Sequence, residues 1–386
     1  MQRVLILGTG KVGALIATLL VDADDYHVSV ADSDGERARA VVAGWPDAEA
    51  YALDASSRDA LVAHLDAHPV DAVISSLPFH LSPTVAGAAR IAGSHYFDLT
   101  EDLAVTRAVR ELAADQPKAF VPQCGLAPGF ISIVAHTLMG HFEQPGIVKL
   151  RVGALPQHPN NVLKYALNWS TEGLVNEYAN PGQALIDGEL REVQPLEGLE
   201  EIEIDGMRYE AFNTSGGLGS LAESYTGRVE RMDYKTMRYP GHCEQMRLLL
   251  HGLKLRHDRE TLCRILENAV PRTLQDVVVI YASVEGIRQG RLVEESYVNK
   301  IYPQVIGGRL WSAIQLTTAA GVCSVLDTVL ARPDAYQGLV LMERFALDEI
   351  LENRFGRRFA HGGSRETSGR LVAAGQTERA DATPPG

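Results

Sequence analysis

The chain has only four cysteines, Cys124, Cys243, Cys263 and Cys323, set 20 to 119 residues apart and without a C-x-x-C pair. That scarcity excludes a disulfide framework and a zinc ribbon, so a cytoplasmic protein with no bound metal is expected. Basic residues are also in deficit. Thirty-six Lys and Arg against 49 Asp and Glu give a formal charge of −13, which repels nucleic acid and anionic membrane. No uncharged apolar run reaches the 18 residues of a membrane span. The first residues enter a strand-like run with no signal-type leader before it, and internal repeats are absent. With 46% hydrophobic and 22% charged residues, the composition is that of an ordinary folded protein, and 386 residues at roughly 150 per domain allow two to three domains.

Residues 3–7 read as a buried parallel strand, and residues 11–21 follow with helical apolar spacing at Val12, Leu15, Ile16, Leu19 and Leu20. The alternation continues with strands near 27–31, 48–53, 71–75, 95–99 and 118–122 and helices between them. Such a series predicts an α/β fold, a Rossmann-type doubly wound parallel sheet over 1–127. A second, α+β domain is expected over 128–308, where a substrate would be held. A long small-residue helix near 309–330 is placed to return to the first domain. Residues 361–386, poor in large apolar side chains, are expected to form a mobile tail.

Gly8-Thr9-Gly10-Lys11-Val12-Gly13 directly follows a predicted strand and opens a predicted helix. In that context G-x-G-x-x-G is a dinucleotide fingerprint: the first glycine permits the turn, the second admits pyrophosphate, and the third lets helix and strand pack. The second strand ends at Asp32, nineteen residues beyond Gly13, where a carboxylate suits an adenosine ribose and repels a 2′-phosphate. NAD is therefore expected as cofactor, with Arg37 and Arg39 keeping NADP open as the alternative. Asp54, at the end of the third strand, and Ser75, Ser76 and Leu77, at the end of the fourth, complete the expected cofactor cleft, although Asp54 equally suits a turn or helix cap. His80, His95, Asp98 and Glu101 reach the same cleft by topology.

Beyond this fingerprint, Gln123-Cys124-Gly125-Leu126-Ala127-Pro128-Gly129-Phe130 resembles the saccharopine dehydrogenase (glutamate-forming) and lysine 6-dehydrogenase family. So do 153–170, which include Asn160, Asn161, Lys164 and Trp169, as well as 210–217 and 235–242. The resemblance implies NAD-dependent oxidation at an ε-carbon amine, with saccharopine giving glutamate and 2-aminoadipate 6-semialdehyde in lysine catabolism. Lysine 6-dehydrogenase activity, releasing ammonia, is the alternative. A polyamine-precursor dehydrogenase and a non-catalytic NAD-binding sensor or scaffold stand behind them. A homodimer is also implied by the family. Two departures stand out: Ala127 and Val152 occupy positions where the glutamate-forming enzymes usually carry Asp and Cys.

Saccharopine has three carboxylates and lysine one, so the count of cations in the site discriminates between them. Arg238, Lys235, Lys164, Arg228 and Arg231 are the candidates, with Asn160, Asn161, Thr214, Gly216, Gly217 and Tyr239 as further substrate contacts. Arg228 and Arg231, set among Glu223, Glu230 and Asp233, also suit a solvated charged face. Hydride transfer needs a base for the amine proton. His242 fits by type, and equally fits a helix terminus; Lys235 and Glu172 are alternatives. Cys124, without a neighbouring histidine, reads as a buried small hydrophobe.

Overall fold

The computed structural model describes residues 1–360 and a two-residue strand, Val372–Ala373; the mobile tail expected over 361–386 otherwise lies outside the described residues. Six parallel strands open the chain: β1 (Gln2–Leu7), β2 (Tyr26–Asp32), β3 (Glu49–Ala52), β4 (Ala72–Ser75), β5 (His95–Asp98) and β6 (Ala119–Val121). They lie in the order β6-β5-β4-β1-β2-β3, so the order reverses between β1 and β4 and opens a crevice at their C-terminal ends. Helices α1 (Lys11–Val21), α2 (Gly35–Val42), α3 (Arg58–Ala67), α4 (Ser82–Ala92) and α5 (Leu103–Leu112) connect them.

The chain then leaves through α6 (Phe130–Met139) into a second, mixed sheet. Its elements in order are β7 (Gln144–Pro156), α7 (Thr171–Ala179), β8 (Gly182–Ile186), β9 (Glu189–Val193), β10 (Glu200–Ile204), β11 (Met207–Asn213), α8 (Leu221–Ser224), β12 (Arg231–Arg238), α9 (His242–Arg247), α10 (Arg259–Ala269), β13 (Asp276–Arg288) and β14 (Arg291–Ile301). The main path runs β10-β11-β12-β7-β13-β14. The alternation at 148–155 predicts one exposed face, whereas β7 is the central strand between β12 and β13 and is buried on both faces over 150–153. Strand β12 carries Lys235 to Arg238 of the family-like stretch 235–242, and His242 opens α9. Alternate residues of the strand point to opposite faces, which decides which members of that motif reach the site.

After a short hairpin of β15 (Gln304–Ile306) and β16 (Arg309–Trp311), helix α11 (Ala313–Ala331) packs along α1. It is long and apolar enough to cross a membrane, but most of it is buried inside the molecule. Its start is held by the carboxylate of Asp276, which accepts from the Ala313 and Ile314 amides at 2.6 and 3.1 Å, matching the positive end of the helix dipole. A Cβ at Gly321 would lie 2.8 Å from the Cys124 and Gly125 carbonyl oxygens, so the glycine lets α11 touch the interdomain loop. Beyond α11, β17 (Gly338–Leu339) pairs with β6 and extends the nucleotide-type sheet. The four cysteines are all free.

Candidate active site

The crevice at the C-terminal ends of β1, β4 and β5 is closed on its far side by the second sheet, leaving a cavity of about 380 Å³. Its first wall is the glycine-rich loop. Gly8 has φ +94°, and a Cβ there would lie 2.5 Å from the Ser76 carbonyl oxygen; a Cβ on Gly13 would lie 1.9 Å from that of Gly8. Both glycines are imposed by packing. Gly10 faces open space instead, with nothing within 4 Å of a built Cβ. That space lies at the N-terminus of α1, which has no acidic residue in its first turn. Lys11 and Arg272, one from each half of the molecule, line the same cavity, and neither forms an ion pair among the described residues. Burial, then the nearby Arg272 charge, lowers the Lys11 pKa. An open glycine face, a helix N-terminus and two uncompensated cations fit a dinucleotide pyrophosphate.

Asp32 sits at the end of β2, where its carboxylate accepts from the Thr9 amide and hydroxyl at 2.9 and 2.7 Å and from the Asp34 amide at 3.1 Å. Burial alone would raise its pKa, but these bonds outweigh it and hold the group below the usual carboxylate range. Asp32 thus ties the glycine-rich loop to β2. Val12, Ser76 and Leu77 line the cavity with Gly10 and Lys11. Ser75 is buried beneath it, and its hydroxyl has no hydrogen-bond partner among the described residues. Asp54 is not a cavity residue; it accepts from the Ser56 amide and hydroxyl at 2.9 and 2.7 Å in an exposed turn.

On the second sheet, Tyr234, Thr236 and Arg238 of β12 and Val152 and Ala154 of β7 face the cavity. Arg238 is almost wholly buried. Its Nε donates to the Tyr178 hydroxyl at 2.8 Å, and Nη1 donates to Thr236 Oγ1 and the Met237 carbonyl, both at 2.8 Å. Its guanidinium also stacks over the Tyr165 ring at 4.8 Å. Burial disfavours its charge, but Tyr178, Tyr165 and Glu177 more than compensate, so it stays protonated. Nη2 makes no hydrogen bond among the described residues, leaving a planar donor for a carboxylate.

Several expected site residues lie elsewhere. Lys235 points to the opposite face of β12, where it binds Glu200 at 2.6 Å beside the buried Arg151–Asp233 pair. It cannot act as the base. His242, 1% exposed, starts α9 behind the site, with Nδ1 donating to the Leu163 carbonyl at 2.7 Å and Nε2 at 3.0 Å from the Tyr178 hydroxyl. Burial, reinforced by Arg238, pushes its pKa down to about 3. It is neutral, fully occupied and outside the cavity, so it is a support for Tyr178 and no base.

Lys164 donates to the Pro240 carbonyl at 2.9 Å, Asn161 caps a turn by accepting from and donating to the Tyr165 backbone, and Asn160 is exposed. Tyr239 donates to the Pro156 carbonyl at 2.9 Å on the far face of the sheet. Gly216 and Gly217 are packing positions, where Cβ atoms would lie 2.7 Å from the Glu101 carbonyl oxygen and 2.0 Å from the Tyr234 ring. Thr214 is buried with its hydroxyl unpartnered among the described residues. Of the eight expected substrate contacts, Arg238 alone lines the cavity. Arg228 and Arg231 are exposed and away from it.

Glu172 is at the rim, exposed in the first turn of α7. His95 accepts from the Ala119 amide at 2.9 Å, and Asp98 accepts from the Thr100 and Gln123 amides at 3.0 Å, so both are structural. Cys124 is buried, with its thiol on the Val121 carbonyl. Glu101, reached by topology, does line the cavity. Glu177, which belongs to none of the motifs read from the sequence, faces it from α7. Both carboxyls keep part of their surface toward the cavity and are otherwise enclosed by protein; burial first, then mutual repulsion, raises Glu101, and burial raises Glu177 against the pull of Arg238.

Residues 4–121 match the saccharopine dehydrogenase NADP binding domain and residues 125–357 the saccharopine dehydrogenase C-terminal domain. Among solved structures, apo saccharopine dehydrogenase (L-Glu forming) from Saccharomyces cerevisiae superposes with a TM-score of 0.74 at 18% identity, covering 93% of this chain and 96% of that one. A putative myo-inositol dehydrogenase from Sinorhizobium meliloti 1021 reaches a TM-score of 0.44 at 12% identity, over 93% and 94% of the two chains. GenD2 from gentamicin A biosynthesis, in complex with NAD, reaches 0.41 at 13% over 97% of each. With both domains matched across nearly the whole described chain, the protein belongs to the saccharopine dehydrogenase family of nicotinamide-dinucleotide-dependent oxidoreductases.

Proposed function

We propose that this oxidoreductase acts on the ε-carbon amine of L-lysine or a close single-carboxylate analogue, with release of ammonia. The observation that carries this reading is the charge inventory of the cavity. Of the five cations considered for a tricarboxylate substrate, Arg238 is the one that lines it, and it is accompanied by Glu101, Glu177 and Glu172. Arg238 suffices for one α-carboxylate. The two further carboxylates of saccharopine would meet like charge without a further cation on the substrate side. Lys11 and Arg272 lie on the phosphate side and are committed to the cofactor in this reading. The charge count therefore favours the lysine 6-dehydrogenase alternative over the saccharopine reaction.

The cofactor, when bound, supplies the hydride acceptor. NAD is favoured over NADP because Asp32, Asp34 and Asp54 gather at the ends of β2 and β3, joined by a Leu53 amide to Asp32 carbonyl bond of 2.9 Å. Of the two cations that would favour a 2′-phosphate, Arg39 is paired with Glu36 at 2.6 Å, and the Arg37 charge helps hold the Asp32 carboxyl low. Arg238 orients the amino acid by its carboxylate, held from behind by Tyr178. The apolar walls, Leu77, Leu99, Val152 and Ala154, exclude water from the aliphatic stem.

The test is NADH formation with L-lysine and, separately, L-saccharopine, measuring ammonia and glutamate. Turnover of lysine with ammonia release is expected. Glutamate release from saccharopine at higher kcat/KM would reverse the assignment, and NAD binding without turnover of either would favour a sensor.

A further inference from the structure

We propose that Glu101 and Glu177, one from each domain, form a single acid–base unit that exchanges the protons of the reaction across the cavity. The inference rests on the amine-oxidation reading above. Glu101 stands just beyond β5, on the side of the crevice shared with Ser76, Leu77 and the 125–128 loop; Glu177 comes from α7 on the substrate side. Gly173 shows how close they come. Glu101 Oε1 lies 3.5 Å from where a Cβ on Gly173 would stand, and Glu177 is one helical turn further along the same face of α7. A side chain at 173 would meet the Trp169 ring first, at 2.7 Å, and reach Glu101 next. Neither carboxylate forms an ion pair or a hydrogen bond to another side chain among the described residues.

The other titratable groups around the cavity are excluded as partners for the amine. Arg238 keeps its proton, and Tyr234 is raised by burial, with Glu177 next. Glu172 is exposed at the rim, and Lys11 and Arg272 sit at the phosphate end. Ala127 and Val152, apolar where similar enzymes carry Asp and Cys, line the same space and supply no proton carrier. The groups facing the pair are Asp102 beside Glu101, and Arg238, Tyr165, Tyr178 and Tyr234 around Glu177. Two enclosed carboxyls next to one fixed cation favour a state with one shared proton.

The ionised member takes a proton from the substrate ammonium, freeing the nitrogen lone pair. The ε-C–H bond then breaks with its electron pair passing as hydride to the oxidised nicotinamide, and the lone pair closes a C=N bond. With both members then protonated, the pair releases one proton to solvent, and its ionised member removes a proton from water as the water oxygen bonds to that carbon and the C=N π electrons return to nitrogen. A proton from the pair then passes to that nitrogen, the C–N bond breaks with its electrons leaving on ammonia, and the carbinol O–H gives its proton to the ionised member as C=O forms.

The experiment measures steady-state kinetics of E101Q and E177Q with lysine across pH, alongside infrared titration of the protonated carboxyl band in cofactor-free protein. Each variant is expected to lose about 10²–10⁴-fold in kcat, with NAD affinity unchanged, and the wild-type band present at neutral pH should be lost in both. Retention of kcat within about tenfold, or a rise in KM alone, overturns the proposal. If the wild type oxidises neither lysine nor saccharopine, the substrate reading fails. The infrared arm then decides the pair: a wild-type band lost in both variants upholds it, and no neutral-pH band, or one that either variant keeps, overturns it.

Discussion

Arg238 donates its Nε–H to the hydroxyl of Tyr178 at 2.8 Å, and that hydroxyl lies 3.0 Å from Nε2 of His242. Because Nδ1 of His242 faces the Leu163 carbonyl, it carries the imidazole proton, leaving Nε2 to accept from Tyr178. The direction of each bond is thereby fixed, and the guanidinium is held without a carboxylate partner. Tyr178→Phe removes the oxygen on which both neighbours depend. A bond to a charged group is worth about 1.5–3 kcal/mol, so KM for the amino acid should rise roughly tenfold or more, with a smaller change in kcat. Steady-state kinetics beside a melting curve separate this from a packing defect, which would lower Tm and leave KM unchanged.

Lys235 belongs to the back of the sheet, where it shares Glu200 with Arg151. Lys235→Met should leave kcat within about threefold while lowering stability by about 1–3 kcal/mol, a figure reduced because Glu200 is about one-third exposed. Denaturant unfolding and turnover on one preparation check both halves. A large loss of kcat in a stable variant would return Lys235 to the reaction.

Asp32 tethers the loop that receives the cofactor. Asp32→Ser should raise KM for NAD about tenfold or more, by loosening Thr9 and by removing the negative charge that discriminates against a 2′-phosphate. The NADP to NAD preference should shift toward NADP in the same assay. Unaltered kinetics with both cofactors would remove Asp32 from cofactor selection.

Stability toward acid should reflect the enclosed histidine of β5. Burial, aided by the Lys118 charge, pushes His95 down to about 4. Below its unfolded value near 6.5 the unfolded chain takes up a proton that the folded chain refuses, so its contribution is lost as pH falls toward 4, by about 2 kcal/mol at pH 5. Asp98 runs the other way: burial raises it to about 6, so its contribution is present in acid and lost as pH rises through 6. His95→Gln should lie below wild type in Tm at pH 7, with the gap narrowing toward pH 5. A constant gap would show that His95 does not govern the acid limb.

The nucleotide-type half was legible because each parallel strand is a short apolar run and each helix follows at a regular interval. Gly8, Gly10 and Gly13 could be assigned separate tasks from spacing alone, and the structure separates them in the same way: two glycines packed, one open. The second half concealed its site. Asp233 reads as part of a solvated charged face with Arg228 and Arg231, and Lys235 as a candidate base, yet both sit in a strand whose back face carries buried ion pairs with Arg151 and Glu200. Motif membership then misled, since neighbours in sequence point to opposite faces. Glu177 was hidden for a related reason: a single acid in a helix reads as solvent-facing, and its enclosure depends on Glu101, 76 residues earlier, arriving opposite it. The available signal was Gly173, a glycine one turn before an acid in a helix otherwise free of glycine.

The polypeptide leaves the first sheet at the loop preceding α6 and returns toward it at the entry to α11, and the carbonyls of Cys124 and Gly125 press on Gly321 where these passages meet. One continuous hydrophobic core runs from Val4 and Ile6 of β1 through α1 and α11 to Val148 and Leu150 of β7 and Val278 of β13, so the two halves are packed as one body. The packing that brings Arg272 to the same cavity as Lys11 also brings Glu177 to that of Glu101, and both pairings are therefore made by the folding of a single core.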